Sequence, residues 1–194
     1  MRKLLVGFSL LSLLSFGVLA APPALAPTSF AGTWALDKSK SKDLPPQFEN
    51  IDSYTLTVTQ DAQQLTVDTK IARKESAEAP GAGGPPGGGP GGGGPGRGGM
   101  GMGPRGPQTY KLDGSEATLD TGGRGTATVK AEWQDGGKTL KLTTKRTFNF
   151  QGNDVTSTNT EVWDLSGDGK TLTIQRTNES PRGTQSSTLV FNKQ

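Results

Sequence analysis

From Thr126 to Arg176 the chain is apolar at every second residue, and the alternation keeps its phase from one run to the next. Ala127, Val129, Ala131 and Trp133 alternate with Thr128, Lys130, Glu132 and Gln134. Leu140 and Leu142 resume after Asp135-Gly136-Gly137, then come Trp163 with Leu165 and Leu172 with Ile174. A period of two sends successive side chains to opposite faces of the backbone, so these runs predict half-buried strands. Phase kept across the turns predicts an antiparallel meander with one dry face and one wet face, because a one-residue slip would turn every apolar side chain to water.

The same alternation recurs elsewhere. Phe30, Gly32, Trp34 and Leu36 share a face; Tyr54, Leu56 and Val58 form a second strand, Leu65, Val67, Thr69 and Ile71 a third, and Tyr110 and Leu112 open a fourth. A short piece around Leu119 precedes the meander, and Leu189 and Phe191 follow it. The chain reads as all-β with about 8–10 strands and no helix. Turn residues suggest the register. A tip at Asp61-Ala62 sets Val58 against Leu65 and Leu56 against Val67, and a tip at Gly136-Gly137 sets Trp133 against Leu140 and Ala131 against Leu142. A tip at Gly152-Asn153 sets Leu142 against Trp163, and one at Gly167-Asp168 sets Trp163 against Leu172. Each tip carries Gly, Asn or Asp, the residues that accept positive φ.

Residues 1–20 have the features of an export signal: Met1-Arg2-Lys3, an apolar stretch from Leu4 to Leu19, and a small residue, Ala20, at the cut. Removing them takes the balance from 21 basic and 18 acidic residues to 19 and 18, a net of +1, so the charge gives no electrostatic case for nucleic acid. No later segment is apolar enough for a transmembrane helix, and the expected location is periplasmic or extracellular. The chain has no Cys, so no disulfide staples the fold. Residues 21–28 read as a flexible lead-in, and 29–192 as one domain interrupted over 73–107 by a Gly/Pro-rich loop. From Gly81 to Pro107 almost every residue is Gly or Pro; ordering such backbone costs about 1–2 kcal/mol per residue with no side chain to bury in return, so disorder is expected.

Strands joined by short hairpins, with no helices over them, hide a dry face by closing on themselves or by stacking as two sheets. Sequential pairing favours closure into an up-and-down barrel over a sandwich with long crossovers. The opening Phe30-Ala31-Gly32-Thr33-Trp34 resembles the Gly-x-Trp start of the lipocalin and fatty-acid-binding (calycin) barrels. With Tyr110-Lys111-Leu112-Asp113-Gly114 and Asp168-Gly169-Lys170-Thr171-Leu172-Thr173, the chain is similar to a group of uncharacterised secreted bacterial lipocalin-like proteins. The resemblance implies a lipocalin-like barrel and, for Trp34, a plug at one end of it. The Arg-x-Tyr carboxylate clamp of fatty-acid-binding proteins has no copy, since Arg176 is followed by Thr177-Asn178, so the family's ligand class does not carry over.

The absence of His removes Ser-His-Asp triads, Cys-His pairs and the usual zinc sets, and the Asp164 and Asp168 region lacks the spacing of a calcium loop; no metal or cofactor is expected. What remains is polar residues in phase with the dry face. Arg146 follows Leu140 and Leu142 in phase, Arg176 follows Leu172 and Ile174, and the inferred registers put Asn159 opposite both arginines with Glu161 one pair nearer Trp163. Buried charge must be compensated, so either Glu161 and Asn159 satisfy the guanidiniums or an anionic ligand does, unless the arginines snorkel at the barrel mouth. One functional reading is a non-enzymatic binding module for a small amphipathic or anionic ligand, its apolar part against Trp133, Trp163 and Leu142 and its head toward Arg146 and Arg176. The alternatives are a structural or interaction domain of the cell envelope with a filled core and unknown protein partners, and an enzyme using Arg and Glu161.

Overall fold

The structure is a computed structural model that describes residues 26–74, 106–121, 125–150 and 152–194. The segment read as an export signal and nearly all of the Gly/Pro-rich stretch lie outside the described residues. The elements are β1 (Gly32–Leu36), a 3-10 turn (Pro46–Asn50), β2 (Ile51–Gln60), β3 (Gln64–Arg73), β4 (Gln108–Lys111), β5 (Ala117–Leu119), β6 (Thr126–Gln134), β7 (Thr139–Phe150), β8 (Asn153–Leu165), β9 (Thr171–Ser180) and β10 (Gly183–Lys193). They form one antiparallel sheet of ten strands in the order β4-β3-β2-β1-β10-β9-β8-β7-β6-β5. β4 and β5 end the sheet, and β4 lies against both β5 and β6, so the sheet curls into a nearly closed barrel.

Sidedness follows the alternation. Ala127, Val129, Ala131, Leu140, Leu142, Trp163, Leu172 and Ile174 are all buried inside the barrel, and Trp133 and Leu165 pack against that core at its edge. Register departs from expectation at several turns. The β6–β7 pairing is as inferred, Trp133 opposite Leu140 and Ala131 opposite Leu142. In β7–β8, however, Leu140 faces Trp163 and Leu142 faces Glu161; in β8–β9, Trp163 faces Ile174; in β2–β3, Val58 faces Val67. Each of these three hairpin tips sits one residue from the inferred position, which moves the pairing by two. A shift of two leaves every side chain on its own face, so the interior keeps its residues while their partners change.

One end of the interior is packed solid. Phe30, Trp34, Leu140, Leu172 and Phe191 have no exposed surface, and Phe30 stands edge-on to Trp163 at 5.8 Å and stacks on Trp133 at 6.1 Å. The buried Trp34 indole N–H donates to the Phe30 carbonyl at 2.9 Å, which removes the cost of an unpaired donor. The incoming chain is tied down there: Thr28 N–H donates to the Gly137 carbonyl at 2.8 Å, and Phe30 N–H to Gln60 Oε1, also at 2.8 Å. The 3-10 turn over Pro46–Asn50, absent from the sequence expectation of no helix, starts at a proline whose fixed φ suits a first helical position. It lays the buried Phe48 against Tyr54 at 5.9 Å.

Candidate functional site

Beyond the packed end the inward positions change from apolar to polar within one residue pair. On β7, Leu140 and Leu142 give way to Thr144 and Arg146; on β8, Trp163 gives way to Glu161 and Asn159; on β9, Leu172 and Ile174 give way to Arg176 and Asn178. The observed register sets Glu161 opposite Arg176 and Leu142, and Asn159 opposite Thr144 and Asn178. Asn159 is therefore not opposite either arginine; Arg146 faces Ser157. The tips of β7–β8 and β8–β9, each displaced by one residue, account for this correction.

Arg176 and Glu161 form an ion pair just above the tryptophan layer. Arg176 Nε and Nη2 each lie 2.9 Å from Glu161 Oε1, with the side chains 18% and 15% exposed. The Trp163 indole N–H donates to Glu161 Oε2 at 2.9 Å, Asn159 Nδ2 donates to Oε1 at 3.4 Å, and Arg176 Nη2 donates to the Tyr54 hydroxyl at 3.3 Å. Burial works against the Arg176 charge, but the Glu161 carboxylate and the Tyr54 hydroxyl outweigh it and keep the guanidinium protonated beyond its ordinary range. Both carboxylate oxygens of Glu161 already accept from protein donors, so it is built as a counterion rather than as a free base. Arg176 is satisfied internally.

Arg146 is different. It is half-buried on the same inner face, and among the described residues it has no hydrogen-bond or ion-pair partner. Around it runs a neutral polar belt that crosses the barrel from β4 to β7. The Tyr110 hydroxyl donates to Gln108 Oε1 at 3.1 Å and shares a 3.3 Å hydrogen bond with the Thr144 hydroxyl. Gln108 and Thr144 are each only 8% exposed and Tyr110 only 4%. Burial pushes the Tyr110 phenol above its ordinary value, with the Glu161 charge adding to it and the Thr144 hydrogen bond, Arg146 and Arg176 opposing. Two buried atoms in this belt have no partner among the described residues, the donor Gln108 Nε2 and the acceptor Asn159 Oδ1. Above the belt, toward the rim, the inner face becomes apolar again at Phe148 and its cross-strand partner Val155, both half-buried.

Of the residues singled out from sequence, the structure brings Glu161, Arg176, Asn159 and Trp163 into one hydrogen-bonded group and places Arg146 one inward position from Thr144. Trp163 and Leu142 form the floor beneath that group, 1% and 2% exposed, while Trp133 lies at the apolar end against Phe30. Sequence reasoning missed Tyr54, Gln108, Tyr110 and Thr144 as members of the polar interior. Thr144 sits in phase between Leu142 and Arg146, and Gln108 in phase with Tyr110, so the alternation held the signal. A surface cleft at the β2–β3 turn is lined by Thr59, Gln60, Asp61, Gln64 and Thr66. Its carboxylate is spent on the turn, accepting from the Gln63 and Gln64 backbone N–H groups at 2.7 and 2.8 Å. Among the described residues no three potential metal ligands cluster, and no helix is long and apolar enough to cross a membrane.

No family model and no curated protein matches this sequence. A crystal structure of zebrafish ileal bile acid-binding protein complexed with cholic acid aligns with a TM-score of 0.44 and 12% identity, over 85% of this chain and 98% of that one. The barrel architecture stands on the ladders of this chain alone.

Proposed function

We propose that this chain is an exported, non-enzymatic, lipocalin-like binding module for a small amphipathic molecule with an anionic head. Arg146 carries the reading: it is a half-buried residue at an inward register position whose guanidinium has no partner among the described residues, whereas Arg176 on the same inner face is neutralised by Glu161. A guanidinium without a protein partner is free to make a charge-assisted, bidentate contact with a carboxylate or similar oxyanion. The packed Trp163–Leu142 floor leaves the tail no room at the closed end, so the head sits at Arg146 and the tail runs past Phe148 and Val155 toward the rim. The solid packing of Phe30, Trp34, Trp163 and Phe191 favours the second reading, an interaction domain of the cell envelope with a filled core.

Displacement of a fluorescent probe from the full chain by dodecanoate and by dodecanol separates the two. Binding of the acid in the micromolar range, weaker binding of the alcohol, and a loss of about tenfold or more in Arg146→Gln support the anion site, as a hydrogen bond to a charged group contributes roughly 1.5–3 kcal/mol. Absence of binding at tens of micromolar for either compound returns the filled-core reading. Export has its own test: protein recovered from the producing cells should begin at Ala21 by N-terminal sequencing, and a chain retaining Met1 in the cytoplasmic fraction refutes it.

A further inference from the structure

The head group that completes this interior needs more than a negative charge. Three unmet demands converge on the polar belt. Arg146 lacks an anion, Gln108 Nε2 is a buried donor without an acceptor, and Asn159 Oδ1 is a buried acceptor without a donor. Gln108 is itself more than nine-tenths buried, and its amide is aimed inward, since its other end accepts from the Tyr110 hydroxyl that reaches Thr144 across the barrel. Asn159 is the direct cross-strand partner of Thr144 and is diagonal to Arg146, a separation of roughly 7–8 Å between positions. A plain carboxylate offers acceptors only. It meets Arg146 and Gln108 but leaves the Asn159 carbonyl oxygen desolvated and unpaired, and a buried acceptor without a donor is the costly case.

We infer that the preferred ligand, on the reading that this interior holds an anionic amphiphile, carries a hydrogen-bond donor two or three bonds from its carboxylate: a hydroxyl, as in a 3-hydroxy acid, or an amide N–H, as in an N-acyl amino acid. The carboxylate lies between Arg146 and Gln108 Nε2, and the donor turns toward Asn159 Oδ1. Discrimination of this kind is strong because a site built to hydrogen-bond a group rejects the analogue that lacks it.

The test is a displacement series on the full chain with dodecanoate, 3-hydroxydodecanoate and N-decanoylglycine. One or both of the donor-bearing acids should bind about tenfold tighter than dodecanoate, and which of them does so identifies the source of the donor. Asn159→Val should bring the affinities of the three acids to within about threefold of one another, and Arg146→Gln should weaken all three acids together. Thermal melting of each variant shows that it is folded, and the wild-type series decides the question even where a variant is not. Equal affinities for the three acids, still dependent on Arg146, overturn the inference and leave the anion site standing. No binding of any acid removes the anion site itself.

Discussion

The two ends of the barrel interior are built from the same strands by opposite rules. At the closed end, Phe30, Trp34, Leu140, Leu172 and Phe191 exclude water, and the one indole N–H among them is paired to a backbone carbonyl. One residue pair further along those strands, Glu161, Arg176, Asn159, Thr144 and Arg146 replace leucine and tryptophan. There the accounts do not balance: Arg176 and Glu161 satisfy each other, but Arg146, Gln108 Nε2 and Asn159 Oδ1 are left over. A sheet selected for stability alone would continue its apolar stripe. The closed end is therefore the part that folds the protein, and the polar end is the part whose composition needs another explanation, since interiors depart from local rules where function requires it.

That division can be broken most directly at the closed end. Trp34→Ala should cost about 3–5 kcal/mol by urea denaturation, the range for deleting a fully buried aromatic side chain; a loss under about 1 kcal/mol would mean that this end is not the core. Next in size is the ion pair. Glu161→Leu should cost about 3 kcal/mol by leaving Arg176 uncompensated, and adding Arg176→Met should recover most of it, because a desolvated pair contributes little net stability over an apolar replacement. A double variant no better than the single one would show that the pair stabilises the fold outright.

Tyr110→Phe should cost about 1 kcal/mol near neutral pH through its lost hydrogen bonds. It should also change the alkaline limb. The folded phenol ionises above the ordinary value of about 10, so the folded state keeps a proton that the unfolded chain releases. Its contribution is intact below that value and is lost as pH rises from it toward the folded pKa. Stability measured from pH 9 to 11 should fall less steeply in the variant than in the wild type; equal slopes would contradict the burial of Tyr110. The smallest effect is the most discriminating. Asn159→Val should cost less than about 1 kcal/mol, since it removes only the long 3.4 Å hydrogen bond to Glu161 Oε1, an oxygen that Arg176 still contacts, and the carbonyl oxygen lost with it has no donor.

Much of this architecture was legible before any coordinates. Alternation places Ala127, Leu142, Arg146, Glu161, Trp163 and Arg176 on a single face, and that holds because a hairpin tip displaced by one residue moves the pairing by two and cannot turn a side chain over. The ring of Tyr54 reads from sequence as one more apolar body on that face; its hydroxyl meets Arg176 only because strands far apart in the chain curve toward each other. Tyr110 and Thr144 likewise meet across the barrel, 34 residues apart.

Side-chain period is a property of the backbone itself, so a linear string of residues suffices to say which of them face inward. Opposition is another matter. Whether Glu161 stands against Arg176, and whether a guanidinium is answered or left waiting, depends on how many residues each turn consumes and on how the sheet closes. Those are settled by packing among residues distant in the chain, and only the folded barrel brings them into contact.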